Sequence, residues 1–172
     1  MPVNGFVAAM NSNNSLGEFI KGGSFTPGQL VITNSPALDV RIPSNLSRLG
    51  SFYREAPAVM RNMVCPASVS DELTVETIAH VRSKYGEYID PHTAVAFAAA
   101  RKFAEREDWK GNVHTVVLST GHYSKAAGLI REATGEGVAI PEDILSLQKM
   151  TDPIAIIPPN LDAFENVIAS CF

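Results

Sequence analysis

The sequence predicts an α/β fold in which helices flank a mostly parallel sheet. Residues 5–10 form a continuous apolar run, which is typical of a strand covered on both faces. Residues 114–119 form a second short, β-branched run that predicts another strand. Between and after these runs, apolar residues recur at helical spacing between clear start and stop signals. A chain of 172 residues fits one domain at roughly 150 residues per domain, so we expect a single domain over 1–172.

Composition and charge exclude several classes of function. The chain has 14 basic and 18 acidic residues and a formal net charge of −4, which argues against a protein that tracks a nucleic-acid backbone. No apolar run reaches the roughly 18 residues that span a membrane, and the first residues carry no export signal. We therefore expect a cytoplasmic protein. Cys65 and Cys171 form no paired motif, and no two histidines have ligand spacing, so no metal site is expected.

The first third of the chain predicts short elements joined by polar turns. The cluster 11–15 marks a turn or helix cap, and a helix follows over 16–21, ended by the next two glycines. Residues 29–33 predict a strand. The stretch 35–43 is expected to be extended because its prolines disfavour helical backbone in the preceding residue.

Ser44 is a good N-cap for a helix over about 45–54. The stretch 56–69 contains two prolines and gives no clear prediction.

The rest of the chain predicts four helices. Ser70 and Gly86 bound a helix over 71–85, with apolar residues on one face. Asp90 followed by proline starts an Ala-rich helix over 92–106, which we expect to pack closely against the sheet. The last two are predicted over the ranges 125–134 and 160–170.

Two strand ends carry the candidate chemistry, because ligands of open α/β sheets bind beyond the carboxyl ends of strands. One is the turn from Met10 to Ser15, and the other is Thr120, Gly121 and His122, which lead into a helix N-terminus that favours anions. The structural alternative is that Thr120 and Ser124 merely cap that helix, and likewise that His92, in the first turn of its helix, fills a capping position. The chain has no dinucleotide fingerprint, nucleophile elbow or Walker loop.

Four ordered segments resemble threonine synthase: residues 9–14, 35–45, 90–95 and 118–125. A fifth segment, 158–164, resembles the C-terminal end of that family, so the resemblance covers about residues 3–168. It implies the C-terminal part of an enzyme of the pyridoxal phosphate (PLP) fold type II, with a partial, doubly wound sheet. The implied reaction converts O-phospho-L-homoserine and water to L-threonine and phosphate.

The resemblance also implies site residues. Thr120 would place its hydroxyl against the pyridine nitrogen of PLP, where a neutral group does not hold that nitrogen protonated. Asn11, Asp39, Ser44 and Asn45 fall on matched positions near the active-site cleft of the family. His122 and Lys125 fall in the matched segment that contains Thr120, and they are further candidates for the cleft.

Departures from the family pattern limit what this chain is expected to do alone. The family lysine that forms the Schiff base lies in an "SFKD"-like motif, and a Gly-rich phosphate loop follows it; neither occurs here. Gly121 and Tyr123 replace the usual alanine and proline, and Asn14 stands where aspartate is usual. We therefore expect a chain that is inactive alone and does not retain PLP.

Two further expectations concern partners. A partial sheet leaves unpaired strand edges and uncovered apolar surface, so we expect self-association through those edges. The alternative to an enzyme part is a non-catalytic, stand-alone protein that binds a phosphorylated small molecule or a protein partner at the Thr120 turn.

Overall fold

The computed structural model describes residues 3–53, 57–104, 114–147 and 156–171. The chain divides into two compact units, residues 1–139 and residues 140–172. The first unit contains both described strands and six helices, and the second contains two short helices. In chain order the elements are β1 (Phe6–Met10), α1 (Ser15–Gly22), a 3₁₀ turn (Pro36–Leu38), α2 (Leu46–Tyr53), α3 (Pro57–Met63), β2 (Val64–Ser68), α4 (Asp71–Tyr85), α5 (Pro91–Ala104), a 3₁₀ turn (Tyr123–Ala126), α6 (Ala127–Thr134), α7 (Glu142–Leu147) and α8 (Leu161–Cys171).

The two strands pair in parallel, which confirms the predicted α/β class. The register runs from Phe6 opposite Val64 to Met10 opposite Ser68. Strand β2 contains Pro66, which lacks the N–H that a ladder uses. Within the described residues this sheet has two strands, so each is an edge strand, the one place in a sheet that tolerates proline. Because of this proline, no strand was predicted here.

Helix α5 packs on the sheet, as its run of small residues predicted. Val95, Ala98 and Ala99 are buried with Val69, and residues of both strands pack against them, including Val7. Small side chains let the helix approach the strands closely. This contact fixes the start of α5 near the ends of β1 and β2.

A second core joins α4, α5 and α6. Ile78, Ala94 and Ile130 are each at most 1% exposed and pack together. The predicted boundaries of α4 are confirmed, since the Ser70 side chain accepts a hydrogen bond from the N–H of Leu73 at the start. These contacts place the start of α6 beside the start of α5.

Helix ends follow the glycine signals. Gly23, Gly86 and Gly135 end α1, α4 and α6 in the left-handed conformation, with φ of 73°, 75° and 73°. The helix predicted over 16–21 forms as α1, which is one residue longer at each end. The helix predicted over 45–54 forms as α2, which starts one residue later, and its predicted end at 54 lies outside the described residues. The predicted end of the α5 helix at 106 lies outside the described residues.

The strand predicted over 29–33 is wrong. The backbone N–H of Val31 donates to Oδ1 of Asn13 at 2.9 Å, and that of Thr33 donates to Oδ2 of Asp39 at 2.9 Å. Side chains therefore take the alternate backbone groups that a neighbouring strand would have paired. The next stretch, expected to be extended, contains the 3₁₀ turn Pro36–Leu38 instead.

The strand predicted over 114–119 is also absent, because this segment has no ladder within the described part of the chain. Val116 is 74% and Leu118 is 72% exposed. Strand propensity reflects the fit of side chains to a pleated, half-buried surface. Because those side chains are exposed to solvent, they have no neighbouring side chains that would stabilise a strand.

The second unit has α8 where the sequence predicted a helix, and α7, which was not predicted. The apolar side of α8 remains open: Leu161 is 68%, Phe164 is 53% and Ile168 is 44% exposed. None of the described helices has the length and apolarity needed to span a membrane.

Candidate functional site

Asn11, the first residue after β1, is the hub of a polar cluster and is 1% exposed. Its Nδ2 donates to Oγ1 of Thr33 at 2.7 Å, to Oδ1 of Asp39 at 2.8 Å and to Oγ of Ser35 at 3.1 Å. Its Oδ1 accepts from the backbone N–H of Asn13 at 2.9 Å. The amide thus fastens the 31–39 loop to the end of β1.

Asp39, the second candidate of this group, lies in the same cluster. Its Oδ1 accepts from Asn11, from Nδ2 of Asn13 at 3.1 Å and from Oγ1 of Thr33 at 2.7 Å. Its Oδ2 accepts from the backbone N–H of Thr33. The carboxylate is therefore satisfied by internal donors, which suits a group that shapes a loop.

Asp90 is the hub of a second cluster at the start of α5, and its side chain is 2% exposed. Its Oδ1 accepts from the backbone N–H of His92 at 3.0 Å and lies 2.6 Å from His92 Nδ1. Its Oδ2 accepts from the hydroxyl of Thr93. The capping role expected for this aspartate is present, and two side chains are added to it.

The Asp90 cluster contacts both the Thr120 turn and the 31–39 loop. Thr93 Oγ1 lies 3.1 Å from Oγ of Ser119, the residue before Thr120. On the other side, the backbone N–H of Ala37 donates to Nε2 of His92 at 3.1 Å. The four segments that resemble one family are thereby connected in space, although they are up to about 110 positions apart in the printed sequence.

The remaining candidate residues have fewer contacts with the Asn11 and Asp90 clusters. Thr120 is exposed, and Gly121 beside it is half-buried against Asp90. His122 uses Nδ1 to cap the 3₁₀ turn, 3.3 Å from the backbone N of Ser124. Lys125 is exposed within that turn.

Ser44 and Asn45 are exposed in the turn before α2. The structure thus joins Asn11 and Asp39 directly and brings the neighbours of Thr120 to the same network. It does not draw Ser44, Asn45, His122 or Lys125 into that network through any hydrogen bond of the described residues.

His92 is the functional candidate that sequence reasoning undervalued. Its position two residues after an Asp N-cap is equally typical of a capping residue, and no spacing signal pointed to Ala37. The contact with Ala37 depends on a separation of 55 residues along the chain.

A third polar cluster supports the turn that contains His122. Glu136 accepts from the hydroxyl of Tyr88 at 2.6 Å and pairs with Arg82 at 2.7 Å. The ring of Tyr88 lies 5.6 Å from that of Tyr123, which stacks on His122 at 4.2 Å. The hydrogen bond from Tyr88, and then that from Arg82, lowers the pKa of Glu136, while the bond to Glu136 raises the pKa of Tyr88.

Among the described residues, two buried side-chain polar atoms have no hydrogen-bond partner. They are Oδ1 of Asn14 and Oγ of Ser15, at the start of α1. Across the described ranges, no group of three or more His, Cys, Asp or Glu side chains is arranged to hold a metal ion.

Comparison with known proteins finds similarity to threonine synthases. A sequence model described as "Threonine synthase, C-terminal" matches residues 93–168. A threonine synthase of Pseudomonas aeruginosa is 28% identical over 186 aligned positions, covering 94% of this chain and 39% of that protein. The threonine synthase of Escherichia coli is 28% identical over 144 aligned positions, covering 84% of this chain and 32% of that protein.

Solved structures share the fold. The crystal structure of threonine synthase from Escherichia coli matches 99% of this chain and 38% of its own, with a TM-score of 0.80 and 24% identity. The yeast enzyme matches with a TM-score of 0.80 and 22% identity over 98% of this chain. A PLP-bound threonine synthase from Brucella melitensis matches with a TM-score of 0.77 and 22% identity. The chain spans about a third to two fifths of the length of these proteins.

Proposed function

We propose that this chain acts as the C-terminal part of an enzyme that converts O-phospho-L-homoserine and water to L-threonine and phosphate. Over nearly its whole length the chain is similar to the C-terminal part of threonine synthases. The 172-residue chain alone does not catalyse this reaction. The site combines the Asn11 cluster, the Asp90 cluster and the turn that carries Thr120.

One observation supports this proposal above the others. The four segments that resemble the family meet in one hydrogen-bonded network, from Asn11 through Ser35 to the Ala37–His92 bond, and from Asp90 through Thr93 to Ser119. A resemblance due to fold alone would not require these polar side chains to contact one another. A shared site does require it.

The residues present fit one end of PLP. Thr120 supplies a neutral, exposed hydroxyl at a turn, which suits the ring nitrogen of a pyridine. When bound, PLP supplies an electron sink for chemistry at the substrate carbons. The lysines of the described residues, Lys21, Lys84, Lys102 and Lys125, are all exposed, and Lys110 and Lys149 lie outside those residues.

None of these four described lysines has a side-chain hydrogen bond to the network. We assign no bond-making step to this chain. Its own residues would have two tasks: Thr120 would contact the ring nitrogen, and the Asn11 and Asp90 clusters would hold the loops around it.

Exposed apolar side chains support a proposed partner as well. Besides Val116 and Leu118, Phe6 on β1 is 53% and Ile32 is 78% exposed. We expect the rest of such an enzyme to cover these groups, and the chain alone to self-associate through its strand edges. Sedimentation at micromolar concentration checks this, and a clean monomer with a cooperative melt would contradict it.

A chimera tests the catalytic role. The aligned C-terminal part of the Escherichia coli enzyme is replaced by this chain, and the product is expressed in a strain that requires threonine. We expect growth and phosphate release from O-phospho-L-homoserine by the purified chimera, and no release by this chain alone. Thr120→Val in the chimera should lower turnover.

Two results would refute the proposal. One is phosphate release by this chain alone. The other is a soluble, PLP-binding chimera that forms no threonine, which would favour a stand-alone binding role. To separate misfolding from loss of function, the same two parts are also mixed as separate chains and their association is measured.

A further inference from the structure

Asp90 does more than cap helix α5. A capping aspartate needs only to accept from backbone N–H groups of the first turn, as it does from His92 at 3.0 Å. Here the same carboxylate also contacts the His92 ring and the Thr93 hydroxyl. At 2% exposure, a carboxylate with these partners has a fixed position.

The contacts of His92 define the state of its ring. A backbone N–H can only donate, so Nε2 must accept from Ala37 at 3.1 Å. The proton of the neutral ring then lies on Nδ1, which faces Asp90 at 2.6 Å. The ring bridges a carboxylate on α5 and the backbone of the 3₁₀ turn Pro36–Leu38.

The other side of Asp90 supports the turn that carries Thr120. A Cβ placed on Gly121 would lie 3.0 Å from Oδ1 and 3.1 Å from Cγ of Asp90. The backbone of the Thr120 turn therefore packs directly against the Asp90 carboxylate. Thr93 adds a second contact through Ser119.

We propose that His92 is a positioning residue that, through Asp90, sets the distance between the 35–39 loop and the Thr120 turn. The 35–39 loop is fastened to Asn11, so His92 connects the two candidate loops. That these loops form one catalytic site rests on the proposed function. The bridge itself rests only on the contacts of His92.

Two substitutions separate the two hydrogen bonds of the His92 ring, one to Asp90 and one to Ala37. In His92→Asn the amide nitrogen takes the place of Nδ1 and can still donate to Asp90, but nothing accepts from Ala37. In His92→Gln the amide oxygen takes the place of Nε2 and can accept from Ala37. His80→Asn, on α4 outside the network, is the matched control.

The first measurement uses the full chain without any cofactor. We expect nitrogen NMR to show the ring proton on Nδ1 of His92. Loss of one hydrogen bond should speed exchange of the Ala37 amide about tenfold in His92→Asn. His92→Gln should recover most of the Ala37 protection, and His80→Asn should leave it unchanged.

A proton on Nε2, or unchanged Ala37 exchange in His92→Asn, would overturn the bridge. Equal loss of Ala37 protection in both His92 variants would do the same, since it would indicate general loosening of the fold.

The second measurement uses the chimera. We expect His92→Asn to lower kcat about tenfold with little change in KM, and His92→Gln to restore part of it. If the chain-only test supports the bridge but kcat is unchanged in the His92→Asn chimera, the positioning role alone is overturned. An inactive parent chimera would refute the proposed function and leave the result of the chain-only test standing.

Discussion

The loop after β1 and the turn before α6 both carry candidate site residues, but they are held in opposite ways. Asn11 is 1% exposed and uses both its amide groups inside the fold. Thr120 is exposed, and its turn is held through its neighbours Ser119 and Gly121. One region is a buried polar hub, whereas the other presents its hydroxyl to solvent.

This difference separates what the chain provides alone from what it offers to a partner. A buried, fully bonded amide contributes to stability whether or not a ligand is present. An exposed hydroxyl contributes little to stability and is available for contact. Stability and catalysis should therefore depend on different residues of the same network.

The largest expected effect is that of Asn11→Ala. The substitution leaves Asp39, Thr33 and Ser35 with lost partners in a buried cluster. It should lower the free energy of unfolding by about 3 kcal/mol, the cost of several unmade hydrogen bonds and a small cavity. Chemical denaturation followed by circular dichroism measures it.

Thr120→Val is the matched control for that comparison. It removes an exposed hydroxyl and should change the free energy of unfolding by no more than about 0.5 kcal/mol. Equal costs for the two variants would show that the Thr120 turn is also part of the stabilising core, and the distinction between the two regions would be wrong.

A smaller effect is expected for Gly121→Ala. Gly121 has no positive φ, so the methyl group meets only the space filled by Asp90, whose three hydrogen bonds resist movement. A Cβ 3.0 Å from Oδ1 should cost about 1 to 2 kcal/mol through overpacking. Thermal and chemical unfolding measure it.

Gly128→Ala gives the control for this substitution. A Cβ there meets nothing within 4 Å, and alanine is the better helix former, so α6 should gain up to about 1 kcal/mol. A Gly121→Ala variant that is as stable as the unmodified chain would indicate that the turn moves freely away from Asp90.

The sequence predicted most helices of this fold, although not α3 or α7, and it predicted the strands poorly. Helix α4 was found at its exact bounds because Ser70 and Gly86 act within one turn of the helix ends. Strands need partners that local sequence does not show. Residues 29–33 have strand composition, yet Asn13 and Asp39 take their backbone groups.

The site was predicted in part, for the same reason. Asn11 and Asp39 were singled out, and they are hydrogen-bonded to each other. The roles of the site residues remain predictions. The Ala37–His92 hydrogen bond could not be predicted from the sequence, because it joins a backbone group to a ring 55 residues away and leaves no periodic signal.

The smallest expected effect lies beside the exposed turn, at Glu136. Because Tyr88 and Arg82 lower the pKa of this carboxyl below 4.5 in the folded chain, its contribution to stability is complete above that value. The contribution is lost as the pH falls through the lowered pKa. Glu136→Gln should remove this dependence, so the stability difference between the two proteins should shrink as the pH falls below 4.5.

The same cluster also makes stability depend on pH in the alkaline range, with the opposite sign. The bond to Glu136 raises the pKa of Tyr88 above 10.0, so the associated stability is present below that value and is lost as the pH rises through the raised pKa. Glu132→Gln, an exposed change on α6, should alter neither limb. Urea titrations across pH measure both limbs, and parallel curves for Glu136→Gln and the unmodified chain would mean that the Tyr88–Glu136–Arg82 contacts do not persist in solution. In that case the Thr120 turn would depend on the contacts of Asp90 and Thr93, and Gly121→Ala would become the sharper probe of how an exposed turn is held.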